Sequence, residues 1–360
     1  MDHLHAFSRY QRQIRLPEIG QEGQEQLSRA MVLVVGAGAL GSAALMYLVP
    51  AGLGTVGILD NDVVELHNLH RQVIYSTGDI GKPKVQMAEM RLRVMNPDVK
   101  LKTHFVRLGV DNALDIFRAY DLILDCSDNF PTKYLVNDAC VMLNKPCIIG
   151  AAQGFSGQLS VFNFQNGPTY RCLFPDPPDP LLAPSCAVTG VMGMVPGVIG
   201  TLQALETIKI IAGIGETLSG RLLQMDGLSG QITEFSISTN PENKKITSLT
   251  VYENSCPDAL LEKHLIDGGD FLQRIKDIDH NVVVAFSDDE QPVNFLNFIW
   301  DSIPLYKLPD RLRDLPEQKT IVLVCEYGIK SLEALKYILM KERITNVCTL
   351  KDGLMMLRHL

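Results

Sequence analysis

The chain has 360 residues, 46% of them hydrophobic and 21% charged, with a net charge of −8. That length accommodates two domains of ~100–200 residues each, and that balance describes a globular fold with a sizeable core. A net negative chain offers no electrostatic footprint for nucleic acid or anionic lipid, so the expected partners are small molecules and proteins.

Eight cysteines lie at 126, 140, 147, 172, 186, 256, 325 and 348, and no two have Cys-x-x-Cys spacing. Neither a disulfide framework nor a zinc ribbon is signalled, and a reducing cytoplasmic setting is expected. Met1 to Gly20 is polar and carries Arg9, Arg12 and Arg15, which is not the pattern of a secretory signal. The longest uncharged run, Gly190 to Leu205, contains Pro196 and several glycines and ends at Glu206. It reads as a buried helix rather than a membrane span.

In chain order, Met31 to Val35 is a β-branched run that ends in Gly36-Ala37-Gly38-Ala39-Leu40-Gly41, the pattern of a buried strand feeding a helix. The helix is expected from Leu40 to about Leu48, stopping near Pro50 and Gly52. Val56 to Leu59 forms a second strand ending at Asp60. Leu122 to Leu124 and Cys147 to Ile149 are further buried strands, and Gly157 to Phe164 is an antiparallel addition. Strands alternating with helices predict a doubly wound, mostly parallel α/β sheet of the Rossmann type with an antiparallel extension.

Residues 173 to 184 hold five prolines and are expected to form a long loop. Thr201 to Ile211 reads as a helix and Leu222 to Ile237 as strands that close this domain. A polar stretch follows, from Asn240 to Lys245, and the domain limits are set at 1–250 and 258–360. The second domain repeats an α/β pattern, with strands at Val282 to Val284 and Ile321 to Val324. Its helix begins at Ser331, with Leu332, Leu335, Ile338 and Leu339 on one face.

The glycines Gly36, Gly38 and Gly41 allow close approach of backbone N–H groups to a phosphate, a signal shared by every dinucleotide enzyme. Asp60, 19 residues past Gly41, stands where an acid hydrogen-bonds ribose hydroxyls, or else caps a turn with Asn61 and Asp62. Arg71 and Lys84 add two cations that a redox cofactor does not need and a triphosphate does. Asp128, just beyond a strand, is placed as a Mg²⁺ ligand, or as a helix N-cap.

Together with Arg9-Tyr10-Gln11-Arg12-Gln13-Ile14, Asn68-Leu69-His70-Arg71-Gln72, Gly81-Lys82-Pro83-Lys84, Asp125-Cys126-Ser127-Asp128-Asn129 and Tyr170-Arg171-Cys172, these motifs resemble the MoeB/ThiF family. That family comprises bacterial relatives of ubiquitin-activating enzymes, and the resemblance spans roughly Arg9 to Asn240. It implies ATP-dependent adenylation of the C-terminal Gly-Gly carboxylate of a ubiquitin-like sulfur-carrier protein, for thiamine or molybdopterin biosynthesis. It further implies that Asp60 holds the ribose, that Asn68, Arg71, Gln72 and Lys84 line the phosphates and that Asp128 binds Mg²⁺. Arg12 would reach the ATP of the other subunit of a homodimer. A cysteine desulfurase or another sulfur donor is the further partner implied.

Cys186, after the proline-rich segment, is a nucleophile candidate, since the resemblance implies a loop that passes over the carrier tail here, or else a small residue at a helix start. Family members often hold structural zinc on two Cys-x-x-Cys pairs, the first ending at the position of Cys172. Here Thr169 replaces its partner and residues 236 to 246 contain no cysteine, so zinc is not expected and Cys172 is expected to be buried.

The C-terminal domain resembles the rhodanese family around Cys325-Glu326-Tyr327-Gly328-Ile329-Lys330-Ser331, with Cys325 as the persulfide candidate. An Asp-x-Arg near the first strand is missing, Lys330 stands where Arg is common, and Glu326 adds a negative charge. A sulfurtransferase and a docking domain are both open. The competing readings for the whole chain are an NAD-dependent oxidoreductase, a non-catalytic module that grips a ubiquitin-like partner, and a peptide-activating enzyme.

Overall fold

The structure, a computed structural model, describes residues 8–177, 190–250, 261–288, 291–316, 318–340 and 346–359. They fall into two compact units that divide between 250 and 261.

The first unit begins with α1 (Gln11–Ile14) and α2 (Gly20–Arg29), followed by β1 (Met31–Val35) and α3 (Ala39–Leu48). Next come β2 (Thr55–Leu59), α4 (Lys84–Met95), β3 (Lys100–His104), α5 (Ala113–Arg118), β4 (Leu122–Asp125) and α6 (Phe130–Met142). It continues with β5 (Cys147–Gln153), β6 (Ser156–Phe162), α7 (Tyr170–Leu173), α8 (Met194–Ala212), β7 (Arg221–Asp226) and β8 (Gln231–Ser236). The eight strands form one sheet in the order β3-β2-β1-β4-β5-β6-β7-β8. From β3 to β5 the pairing is parallel, and from β5 to β8 it is antiparallel.

The apolar run of β1 is buried on both faces, which is why it reads as continuous rather than alternating. Val32 and Val34 enter one core with Val56, Ile58, Leu122 and residues of α3, α4 and α8. Leu33 and Val35 enter the other with Ile123, Ile149 and residues of α5, α6 and α7.

Helix α8 is longer than the Thr201 to Ile211 expected. Pro196 falls in its first turn, where the missing N–H costs nothing, so the helix starts at Met194. Nor is it wholly buried: Met194, Val198 and Leu205 are exposed. By length and composition alone it could cross a membrane. In this fold its apolar surface instead packs on α3, β5 and β6.

The second unit contains a five-stranded, all-parallel sheet in the order β13-β10-β14-β15-β9. Its strands are β9 (Leu265–Ile266), β10 (Asn281–Ser287), β13 (Ser302–Pro304), β14 (Thr320–Cys325) and β15 (Val347–Leu350). Between β10 and β13 lies the hairpin β11 (Val293–Phe295) and β12 (Phe298–Trp300). Among the described residues the α-helices of the unit are α9 (Gly268–Arg274), α10 (Leu308–Arg311) and α11 (Ile329–Met340), the last following β14 directly.

Candidate nucleotide site and the family of the chain

Strand β1 is flanked by β2 on one side and β4 on the other, so the chain order reverses between β1 and β4. In an open parallel sheet such a switch point leaves a crevice outside the carboxyl ends of the two strands. β1 ends at Val35 and β4 at Asp125, and these two residues are register partners. The glycine turn and the Asp125 to Asp128 segment therefore leave the sheet side by side.

Contact there is close enough to demand glycine. Gly36 has φ +93°, and a Cβ on it would lie 2.9 Å from the Cys126 carbonyl oxygen. A Cβ on Gly41 would lie 2.0 Å from the Gly36 carbonyl oxygen. Gly38 is the N-cap of α3, so the first turn of that helix presents its N–H groups at the crevice.

Asp60 forms the expected turn with Asp62 and also reaches back into the glycine turn. One carboxylate oxygen accepts from Ala37 N at 2.8 Å, inside the glycine turn, and the other accepts from Asp62 N at 2.8 Å. Burial raises its pKa, offset in part by the positive charge of Lys84 and by these two amides. Tyr75 secures the other side of the turn, its hydroxyl donating to the Ala37 carbonyl at 2.8 Å.

Asn68 and Gln72 are both buried. The Asn68 carbonyl accepts from Arg71 N and Gln72 N, and its side chain accepts from Glu65 N. The Gln72 amide nitrogen faces Gly38, 3.7 Å from where a Cβ would stand, and its Oε1 is buried without a hydrogen-bond partner. Arg71 is half-buried and donates to the His67 carbonyl at 2.7 Å. Among the described residues no carboxylate neutralises it. Lys84, at the start of α4, is buried and pairs with Asp62 at 2.8 Å.

The N-cap of α6 is Asn129, whose side chain accepts from Thr132 N, so Asp128 is not spent on capping. Asp128 is exposed, and its carboxylate receives one long contact, 3.5 Å from Asn129 Nδ2. Among the described residues there is no group of three or more His, Cys, Asp or Glu side chains able to cage an ion. A lone carboxylate at the crevice suits Mg²⁺, which keeps its waters and takes its remaining ligands from substrate phosphates. The orphaned Gln72 oxygen and the glycine floor likewise fit a nucleotide.

Arg12 is not brought to this crevice within the chain. It sits exposed on α1 with no partner among the described residues. Cys186 lies outside the described residues. Cys325 belongs to the second unit, at the end of β14, where it is buried and its Sγ accepts from Ser331 N at 3.4 Å. Lys330 pairs with Asp288 at 2.6 Å.

Cys172 is half-exposed rather than buried as expected, because α7 is a single turn that presents it to the segment after β8. Its sulfur receives hydrogen bonds from Thr169 N (3.4 Å), Asn240 N (3.3 Å) and Asn243 Nδ2 (3.5 Å). Burial would raise the thiol pKa, but these donors and the Thr169 hydroxyl outweigh it and hold the value below that of an ordinary cysteine.

The sequence reading passed over Lys133 and Gln203, which lie beneath the crevice. Gln203 of α8 donates to the Asp125 carbonyl at 2.8 Å. Lys133 of α6 donates to Asp125 Oδ2, to the Ser127 carbonyl and to the Gly150 carbonyl. The one available signal was the apolar run around Lys133, from Tyr134 to Val136, which no surface helix face needs.

A model of the ThiF family matches residues 10–247. The sulfur carrier protein adenylyltransferase of Thermus thermophilus is 52% identical over 238 residues, covering 65% of this chain and 88% of the relative. A Mycobacterium tuberculosis protein named "Probable adenylyltransferase/sulfurtransferase MoeZ" is 40% identical over 346 residues, covering 91% of this chain and 87% of that one. Among solved structures, E. coli MccB with ATP superposes with a TM-score of 0.56 at 22% identity, over 66% of this chain and 72% of the other, a likeness of fold. The family match spans the glycine turn, the Asp60 and Asn68 to Lys84 segments and the Asp128 turn, and the chain belongs to the ThiF family.

Proposed function

We propose that the chain is an ATP-dependent adenylyltransferase that activates the C-terminal carboxylate of a ubiquitin-like sulfur-carrier protein, releasing pyrophosphate. The observation that carries this reading is the meeting at the β1/β4 switch point. There the glycine turn, the Asp60 carboxylate bound to Ala37 N, Gln72 facing Gly38 and the Asp128 turn converge. The names of the relatives from Thermus thermophilus and Mycobacterium tuberculosis support the same chemistry. An NAD-dependent oxidoreductase would make no use of Lys84 or of the exposed Asp128.

In this reading the glycine turn and the α3 N-terminus hold phosphate oxygens and Asp60 orients the ribose. Lys84 and Arg71 receive the negative charge that accumulates as the bond between the α-phosphorus and its bridging oxygen breaks. Mg²⁺ at Asp128 would supply charge neutralisation of the phosphates. The carrier carboxylate is itself the nucleophile, so no side chain need attack; the protein aligns the two reactants for in-line displacement.

Two further parts of the reading rest on separate observations. A homodimer is supported by Arg12, exposed and unpartnered among the described residues. It is also supported by an exposed apolar stripe of Met194, Val198 and Leu205 on α8. A sulfur-handling role for the second unit is supported by Cys325, whose sulfur meets a backbone N–H at the head of α11. No structural zinc is proposed, since Cys172 has Thr169, Asn240 and Asn243 where metal ligands would be needed.

The test is ATP–pyrophosphate exchange with purified thiamine-type and molybdopterin-type carriers, with Asp128→Ala as control. Exchange with one carrier that the substitution abolishes is expected. ATP binding without exchange for either carrier would sink the reading.

A further inference from the structure

Asp128 is the exposed end of a short turn, and nothing on its own side chain fixes where its carboxylate stands. What fixes the turn lies underneath. Lys133 Nζ is buried and uses all three of its protons: on Asp125 Oδ2 at 2.9 Å, on the Ser127 carbonyl at 2.8 Å and on the Gly150 carbonyl at 2.8 Å. The other Asp125 oxygen accepts from Ser127 N at 3.1 Å and from the Ser127 hydroxyl at 2.6 Å. Ser127 is therefore gripped at its N–H, its hydroxyl and its carbonyl, one peptide before Asp128. From the opposite side Gly36 lies against Cys126 and Ser127 N, and Gln203 holds the Asp125 carbonyl.

This arrangement is costly unless it does something. Lys133 and Asp125 have side-chain exposures of 5% and 0%. Taking two charges out of water carries a desolvation cost, and an apolar pair of the same volume is often as stable. A saturated ammonium does supply direction. It ties the end of β4 to the middle of β5 and to the first turn of α6, so the 125–128 turn has one position relative to the glycine turn.

We propose that Lys133 is a positioning residue for Mg²⁺–ATP: through Asp125 and Ser127 it sets the distance between the Asp128 carboxylate and the glycine cradle. The inference rests on the reading of Asp128 as the group that meets Mg²⁺, and it assigns Lys133 no contact with substrate.

The experiment measures ATP affinity of the full-length protein by calorimetry, once with Mg²⁺ and once with chelator, for wild type, Asp128→Ala, Lys133→Met and Ser127→Ala. Affinity without Mg²⁺ reports the glycine turn, Asp60 and Lys84; the gain on adding Mg²⁺ reports Asp128. Lys133→Met is expected to cut that gain by about tenfold, the usual cost of losing a partner that orients a metal ligand, and to leave Mg²⁺-free affinity within about twofold. Ser127→Ala, which removes one hydroxyl and no charge, should move the gain in the same direction by less, and it serves if Lys133→Met does not fold.

A collapse of the gain in Asp128→Ala with an undiminished gain in both other variants overturns the inference alone. An undiminished gain in Asp128→Ala overturns the placement of Mg²⁺ and the inference with it. Parallel loss of Mg²⁺-free and Mg²⁺-bound affinity in Lys133→Met would make Lys133 a support of the whole crevice, which also overturns it.

Discussion

Lys84 and Asp62 form an ion pair of unequal burial: the ammonium side chain is 6% exposed and the carboxylate 61%. The cation is thus held inside the fold while its counter-charge stands at the surface, two residues from Asp60. Incoming phosphates would have to take Lys84 from Asp62. Removing the competitor, in Asp62→Asn, should tighten ATP binding by about two- to fivefold, the worth of a solvent-screened pair. Lys84→Ala should weaken it. Calorimetric Kd values for the two variants test this, and an Asp62→Asn protein that binds ATP more weakly would contradict it.

Gly41 has no room for a side chain. Gly41→Ala places a methyl 2.0 Å from the Gly36 carbonyl, and the backbone must move to admit it. The expected cost is about 1–3 kcal/mol of stability, with ATP affinity falling by more than stability because the displaced atoms are the cradle itself. Chemical denaturation and ATP titration on the same preparation separate the two effects.

Asp60 should give nucleotide binding a pH dependence. Burial raises its pKa above the usual carboxylate range, so the folded protein holds that proton more tightly than the unfolded chain does. Apo stability then falls as pH rises from the ordinary carboxylate value to the raised one. Ribose hydroxyls donate to the ionised form, so ATP affinity should rise through the same window. Asp60→Asn should flatten both profiles and lower affinity at neutral pH; unchanged profiles would exclude Asp60 as the titrating group.

Cys172 supplies a hub of hydrogen bonds between α7 and the segment after β8. Cys172→Ala removes the acceptor from three donors and should cost about 1–2 kcal/mol. A chelator should leave Tm unchanged, and metal analysis should find zinc well below one per chain. Stoichiometric zinc with a chelator-sensitive Tm would reverse the assignment.

Arg12 acting across a homodimer predicts complementation. Arg12→Ala and Asp128→Ala chains, each inactive alone, should recover up to about a quarter of wild-type exchange when refolded together, since half the dimers then hold one intact site. No recovery would place Arg12 in its own subunit's site or outside catalysis.

Much of the site was legible because its parts are local. The Gly36 to Gly41 turn and Asp60 depend on short-range chain geometry, and the continuous apolar runs of β1, β4 and β5 announce strands buried on both faces. Helix α8 was harder, because Pro196 looks like a stop signal until its place in the first turn is known. Cys172 was misjudged for a related reason: its exposure depends on where residues 240 to 243 return, not on its neighbours in sequence.

The sequence by itself determined the central strands β1, β2, β4 and β5, the doubly wound class and the kinds of group available for a triphosphate, since these follow from periodicity and from residue chemistry. Only the tertiary structure decided which groups share a site. β1 pairs with β4 across nearly ninety residues of chain, putting Gly36 against Cys126. Lys133, in sequence one lysine among many, becomes a buried ammonium with three acceptors. No local rule contains that outcome, because the acceptors come from two strands and a turn that only the sheet brings together.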